Sequence, residues 1–115
     1  MFELTVESSF SGAHQLIKSN SPCENLHGHN WRVALTVCGS EQEPDVGWVI
    51  DFKKLKEALN KELAKFDHKY LNEVLPVSPT AENIAKQIYR DLAASLPVCK
   101  VTVWETEKSS VSYSE

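Results

Sequence analysis

His27-Gly28-His29-Asn30-Trp31-Arg32-Val33-Ala34-Leu35-Thr36-Val37 sorts its side chains by parity. His27, His29, Trp31, Val33, Leu35 and Val37 stand on odd positions, against Asn30, Arg32, Ala34 and Thr36 on even ones. Period two is the mark of an extended strand with one buried face, and the stretch from Gly39 to Pro44 ends it. Working back toward the N-terminus, Phe2, Leu4, Val6, Phe10 and His14 share one parity while Glu3, Thr5 and Glu7 share the other. Residues 2–14 therefore read as a second half-buried strand, and His14 turns with the apolar side chains toward the interior. Residues 15–26, with Asn20, Ser21 and Pro22, read as the loop between them.

Downstream of Gly47-Trp48-Val49-Ile50-Asp51 the period changes. Asp51 offers a capping oxygen, after which Phe52, Leu55, Leu59, Leu63 and Phe66 recur at helical spacing, with Lys53, Lys54, Lys56, Glu57 and Lys61 facing out. Asp67-His68-Lys69-Tyr70 follows directly, and Pro76 to Pro79 breaks the chain. Thr80 then caps a second helix with Glu82 in its first turn, buried through Ile84, Ala85, Ile88, Leu92 and Leu96 and ended by Pro97. Cys99, Val101, Val103 and Glu105 share a third strand's parity, and Val111 and Tyr113 mark a short fourth strand. The order ββααββ predicts an α+β fold: an antiparallel four-stranded sheet with two helices packed on one face, in a single domain over residues 1–115.

Composition narrows the function. Formal charge is −4 and the 12 Lys and Arg are scattered, which excludes an extended nucleic-acid footprint. No stretch approaches the ~18 apolar residues of a membrane span, and the start of the chain, with Glu3 and Glu7, lacks a signal peptide's basic and apolar regions. A cytoplasmic protein is expected. Cys23, Cys38 and Cys99 are odd in number and widely spaced, which predicts reduced thiols, with Cys38 and Cys99 in the core. A chain of 115 residues has little room for a deep cleft of its own, so a subunit interface is the natural source of missing walls.

The chemistry-bearing residues cluster. On one strand face His27 and His29 lie about 7 Å apart, close enough for both rings to reach one ion, and His14 supplies a third imidazole. Three neutral nitrogens with a fourth position open is how a catalytic zinc is held, although iron, cobalt or nickel suit the same ligands. Cys23 has two readings: a fourth ligand closing a structural site, or a free thiol beside an open metal. Asp67 and His68 read either as capping and surface charge or, if they meet Cys23, as a proton relay. The parity of Glu105 aims a carboxylate inward, with Glu107 on the same parity as competitor; a carboxylate matches the paired N–H donors of an amino-pyrimidinone ring.

Six blocks carry a resemblance across nearly the whole chain. They are Phe10-Ser11-Gly12-Ala13-His14, Cys23-Glu24-Asn25-Leu26-His27-Gly28-His29, Gly47-Trp48-Val49-Ile50-Asp51-Phe52, Phe66-Asp67-His68-Lys69-Tyr70-Leu71-Asn72, Pro79-Thr80-Ala81-Glu82-Asn83 and Val103-Trp104-Glu105-Thr106. In this order they resemble the 6-pyruvoyl-tetrahydropterin synthase superfamily. The three-residue gap between Cys23 and His27, with the block at 47–52, is more similar to its bacterial 6-carboxy-5,6,7,8-tetrahydropterin synthase branch than to the animal branch.

The resemblance implies the T-fold and a zinc-dependent lyase of queuosine biosynthesis. Such an enzyme converts 7,8-dihydroneopterin triphosphate to 6-carboxytetrahydropterin, acetaldehyde and triphosphate. Zinc would sit on His14, His27 and His29; Cys23 would be the general base, with Asp67 and His68 completing its relay; Glu105 would anchor the pterin and Thr80 would contact its ring. It also implies trimers whose sheets join in a barrel, stacked in pairs as hexamers with sites between subunits. Two positions depart from the pattern. Gln15 stands where bacterial relatives often carry Arg, and Tyr113-Ser114-Glu115 lacks a Gly before the Glu, leaving Lys18, Lys69 and Lys108 as candidate phosphate contacts. The rival expectations are a 6-pyruvoyl-tetrahydropterin synthase or related dihydropterin lyase on the same scaffold, and a non-catalytic zinc-stabilised oligomeric module in which Cys23 is a ligand.

Overall fold

The computed structural model describes residues 1–21 and 25–115. β1 (Phe2–His14) and β2 (His27–Gly39) form an antiparallel ribbon in continuous register from Phe2 opposite Gly39 to His14 opposite His27. There follow α1 (Phe52–Leu63), β3 (Lys69–Tyr70), α2 (Leu71–Val74), α3 (Ala81–Ala93), β4 (Val98–Thr106) and β5 (Ser109–Tyr113). The strands make one sheet in the order β3-β1-β2-β4-β5.

The expected sheet and helix count is corrected by one short segment. β3 joins the sheet parallel to β1, pairing Lys69 with Gly12 and Tyr70 with Ala13, so the sheet is mixed and five-stranded. The single turn of α2 follows, making three helices in place of two. A two-residue strand has no periodicity to read, and α2 starts at Tyr70 without a side-chain cap. Long-range bonds hold this segment: the backbone N–H of Gln15 donates to Asn72 Oδ1 at 2.9 Å, and Asn72 Nδ2 donates back to the Gln15 carbonyl at 2.8 Å.

The two longer helices start where the sequence predicts but stop at Leu63 and Ala93, before Phe66 and Leu96 of the expected stripes. Asp51 accepts a hydrogen bond from the Lys53 N–H, and Thr80 Oγ1 accepts one from the Asn83 N–H. Leu55, Leu59 and Ile84, Ile88 meet Val33, Leu35, Val37, Val101 and Val103, all fully buried. Each such side chain contributes roughly 1.5–3 kcal/mol by leaving water. A one-residue slip of β2 would turn Val33, Leu35 and Val37 outward together, so the core holds the register that places His27 and His29. Phe52, expected on the buried stripe, is 59% exposed, and the stripe begins one turn later at Leu55.

The expectation of reduced core thiols at Cys38 and Cys99 is also corrected. The two are joined in a disulfide with Cα atoms 5.9 Å apart, and both are only half-buried. Thr36 pairs with Lys100 and Val37 with Val98, so Cys99 is an extra residue in the β2–β4 ladder, and this irregularity brings its sulfur to Cys38. Spacing along the chain cannot reveal that meeting. Unanticipated too is Glu62 on α1, only 5% exposed, whose Oε1 lies 2.8 Å from Lys65 Nζ. Burial pushes its carboxyl up to about 7, with a hydrogen bond to Asp91 adding to the effect.

Candidate functional site

The end of the β1–β2 ribbon carries the histidines. His14 is the last residue of β1 and pairs directly with His27, the first residue of β2, while His29 lies opposite Gly12, where no side chain intervenes. His14 is fully buried and packs edge-on against the Trp31 ring, centroids 4.9 Å apart. The Trp31 indole donates its N–H to the Gly12 carbonyl at 3.1 Å, fastening the floor beneath the rings.

Backbone carbonyls orient two of the imidazoles. His14 Nδ1 is 2.8 Å from the Pro79 carbonyl oxygen and His27 Nδ1 is 2.7 Å from that of Asn25. A carbonyl only accepts, so both Nδ1 atoms carry the proton and, in neutral rings, both Nε2 atoms present lone pairs. Those two Nε2 atoms face each other at 2.9 Å. Two lone pairs at that distance repel unless a cation or an extra proton lies between them. His29 Nε2 is buried with no hydrogen-bond partner among the described residues, and burial lowers the pKa of this ring, opposed by Glu105 and reinforced by His27 and His14. Neutral, inward-facing nitrogens with nothing to bond are the donor set of a divalent metal.

One donor atom from each of His14, His27, His29 and Glu105 lies within 4.8 Å of the others. Glu105 reaches the cluster from β4 and places Oε1 3.4 Å from His29 Nε2. Glu107, its competitor by parity, instead lines a separate groove with Glu7, Arg32 and Trp104. The structure therefore separates two carboxylates that sequence could not. Thr80 acts as the cap of α3, and its neighbour Pro79 supplies the carbonyl that holds His14.

Asp67 and His68 are joined to each other and to β1. Asp67 Oδ2 lies 3.0 Å from His68 Nδ1, its Oδ1 accepts the Ser11 N–H at 2.9 Å, and the His68 N–H donates to the Ser11 carbonyl at 2.6 Å. The Ser11 N–H, and then His68, hold the Asp67 carboxyl below the usual range. His68 has φ 58°, a left-handed backbone, and its side chain is 82% exposed. It lines an open groove of about 500 Å³ with His29, Lys69 and Tyr70. Cys23, expected beside His68 and the histidines, lies outside the described residues.

Sequence reasoning missed the groups that aim these side chains. Pro79, Asn25 and Ser11 act through backbone atoms, which any residue type supplies. Gln15 sits between α2 and β3, its Oε1 accepting from the Tyr70 hydroxyl at 3.2 Å.

A family model described as 6-pyruvoyl tetrahydropterin synthase matches residues 3–115. An Archaeoglobus fulgidus protein provisionally named 6-carboxy-5,6,7,8-tetrahydropterin synthase is 42% identical over 103 residues, 89% of this chain and 86% of its own length. The 6-carboxy-5,6,7,8-tetrahydropterin synthase of Synechocystis is 37% identical over 120 residues, 98% of this chain and 93% of its own. A Pyrococcus furiosus dihydroneopterin monophosphate aldolase is 32% identical over 108 residues, 90% of each chain. The solved structure of Caenorhabditis elegans 6-pyruvoyl tetrahydropterin synthase matches with a TM-score of 0.84 at 29% identity, covering 100% of this chain and 97% of that one.

Proposed function

The chain belongs to the 6-pyruvoyl tetrahydropterin synthase family, and from that premise we propose that it is a zinc-dependent 6-carboxy-5,6,7,8-tetrahydropterin synthase. As a lyase it would convert 7,8-dihydroneopterin triphosphate to 6-carboxytetrahydropterin, acetaldehyde and triphosphate, a step of queuosine biosynthesis. The observation that carries the reading is the convergence of three imidazole nitrogens in an arrangement that a cation would satisfy. The relatives named for this activity, matched over most of their length, select the product.

His14, His27 and His29 would hold the ion. Zinc bound there supplies Lewis-acid polarisation of the substrate's side-chain hydroxyls. The protein's own groups do the rest. Asp67, pinned by Ser11, keeps the His68 imidazole in one orientation, and that imidazole holds and passes a proton at the mouth of the groove. Cys23 would take the general-base role that the family resemblance gives it, as a thiol whose pKa a nearby cation lowers. Glu105 accepts the two N–H donors of the pterin ring, with Thr80 beside it. Lys69, which lines the same groove as His68, would meet a phosphate.

The grooves beside the histidines are open, one of about 500 Å³ and another of about 280 Å³ that includes Glu105 and Glu82. This supports assembly as a homotrimer or hexamer in which a neighbouring subunit closes the site. The second reading, a dihydropterin lyase with another product, rests on the likeness to the Pyrococcus furiosus aldolase and the Caenorhabditis elegans synthase. Incubation of zinc-loaded, reduced protein with 7,8-dihydroneopterin triphosphate, followed by mass analysis, tests both. Carboxylated tetrahydropterin with equimolar acetaldehyde is the expected outcome; a pyruvoyl product, or hydroxymethylpterin with a two-carbon aldehyde, selects the second reading.

A further inference from the structure

The carboxylate of Glu105 is placed for two tasks. In the β4–β5 ladder Trp104 pairs with Ser110 and Thr106 with Ser109, so Glu105 is the residue left over where the register shifts. The shift lets its side chain lean toward the end of the β1–β2 ribbon, where Oε1 stands 3.4 Å from His29 Nε2. Donor atoms bound tetrahedrally at about 2.1 Å lie about 3.4 Å apart, so this pair already has the separation of two ligands on one ion. Among the described residues His29 Nε2 has no hydrogen-bond partner, and the 3.4 Å gap is too long for a good N–H···O bond. Side-chain accessibility of 27% leaves Glu105 free to change partners, whereas His14 and His27 are tied to carbonyls.

We propose that Glu105 is the fourth metal ligand of the resting protein and leaves the ion when a pterin ring arrives. The inference rests on the functional reading above, because it takes the pterin N–H groups as the competitor for the carboxylate. Exchange of partners would keep the metal four-coordinate at rest and open a position only when substrate is seated. No bond is made or broken in the pterin by this step; a carboxylate moves from the ion to two N–H donors.

Two measurements test it without relying on turnover. The first is zinc affinity by competition with a chromophoric chelator: Glu105→Gln should bind zinc at least ~10-fold more weakly than wild type. Equal affinity would overturn the assignment. The second uses wild-type protein loaded with Co²⁺, whose visible bands report its ligands. Addition of pterin lacking a C6 side chain should shift those bands, although that molecule has no hydroxyls to offer the ion; an unchanged spectrum with pterin bound overturns the exchange. The pterin dissociation constant of the metal-free protein keeps the two ideas apart. Glu105→Gln that loses pterin affinity but keeps zinc affinity sinks the ligand role and leaves the anchor standing. Weaker zinc binding with unchanged pterin affinity sinks the exchange and the anchor together.

Discussion

The two ends of the β1–β2 ribbon present opposite solutions to the same problem. Both bring potential metal ligands together: Glu3, Cys38 and Cys99 at one end, His14, His27, His29 and Glu105 at the other. At the first end the sulfurs satisfy each other in a covalent bond. At the second, two imidazoles meet lone pair to lone pair and a third has no hydrogen-bond partner among the described residues. Self-satisfied groups stabilise a fold, whereas groups left wanting create a binding site. The contrast sets the proposed site at the histidine end against a covalent staple at the cysteine end.

The largest effect should come from the histidine end. His27→Ala removes one of the converging nitrogens and, with it, tight metal binding; turnover should fall on the order of 10³-fold or more, with thermal stability of the metal-free protein little changed. Retention of a full equivalent of zinc by that variant would break the comparison. His68→Ala should slow turnover by ~10²-fold while leaving zinc content at the wild-type level. Metal loss in that variant would mean that the Asp67–His68 pair supports the cluster and not the proton transfer.

At the other end the expected readout is stability alone. Cys38→Ser, or reduction of the disulfide, should lower unfolding free energy by about 2–4 kcal/mol, because the bond closes a separation of 61 residues. Zinc stoichiometry should not move. A thiol titration of the denatured, unreduced protein that finds three reactive sulfurs would remove the staple and with it half of the contrast.

The smallest effect lies between the ends, at Glu62. Its carboxyl is raised to about 7 in the folded chain by burial first and the Asp91 hydrogen bond second, above its unfolded value. The folded state therefore binds this proton more tightly. The stability it contributes is complete below the unfolded pKa and is lost as pH rises through 7. Glu62→Gln should remove that decline, raising stability at pH 8 by roughly 1–3 kcal/mol relative to wild type with little change at pH 4. Denaturant unfolding at the two pH values checks it, and an undiminished slope would shift the pH sensitivity to the histidine end.

Much of this molecule is written in local pattern. Period two in residues 2–14 and 27–37, helical spacing from Leu55 to Phe66 and from Ile84 to Leu92, and the caps at Asp51 and Thr80 are consequences of backbone geometry within a few residues. His14, His27 and His29 were legible for the same reason: strand parity places them on the inward face, and the β1–β2 register needs only that face to align. Glu105 and Glu107 could not be told apart, since they share a parity; the register shift after Trp104 distinguishes them, and it depends on β5.

What the sequence determined by itself was therefore the two longer helices, the four strands β1, β2, β4 and β5, the inward-facing histidines and the family likeness, because these reside in spacing and residue type. Only the tertiary structure decided that Lys69–Tyr70 adds a parallel edge, that Cys38 meets Cys99, that the carbonyls of Pro79 and Asn25 aim two rings, and that Glu62 is buried. Those features join residues distant in the chain or act through backbone atoms common to every residue. Neither kind of contact leaves a period for a sequence to show.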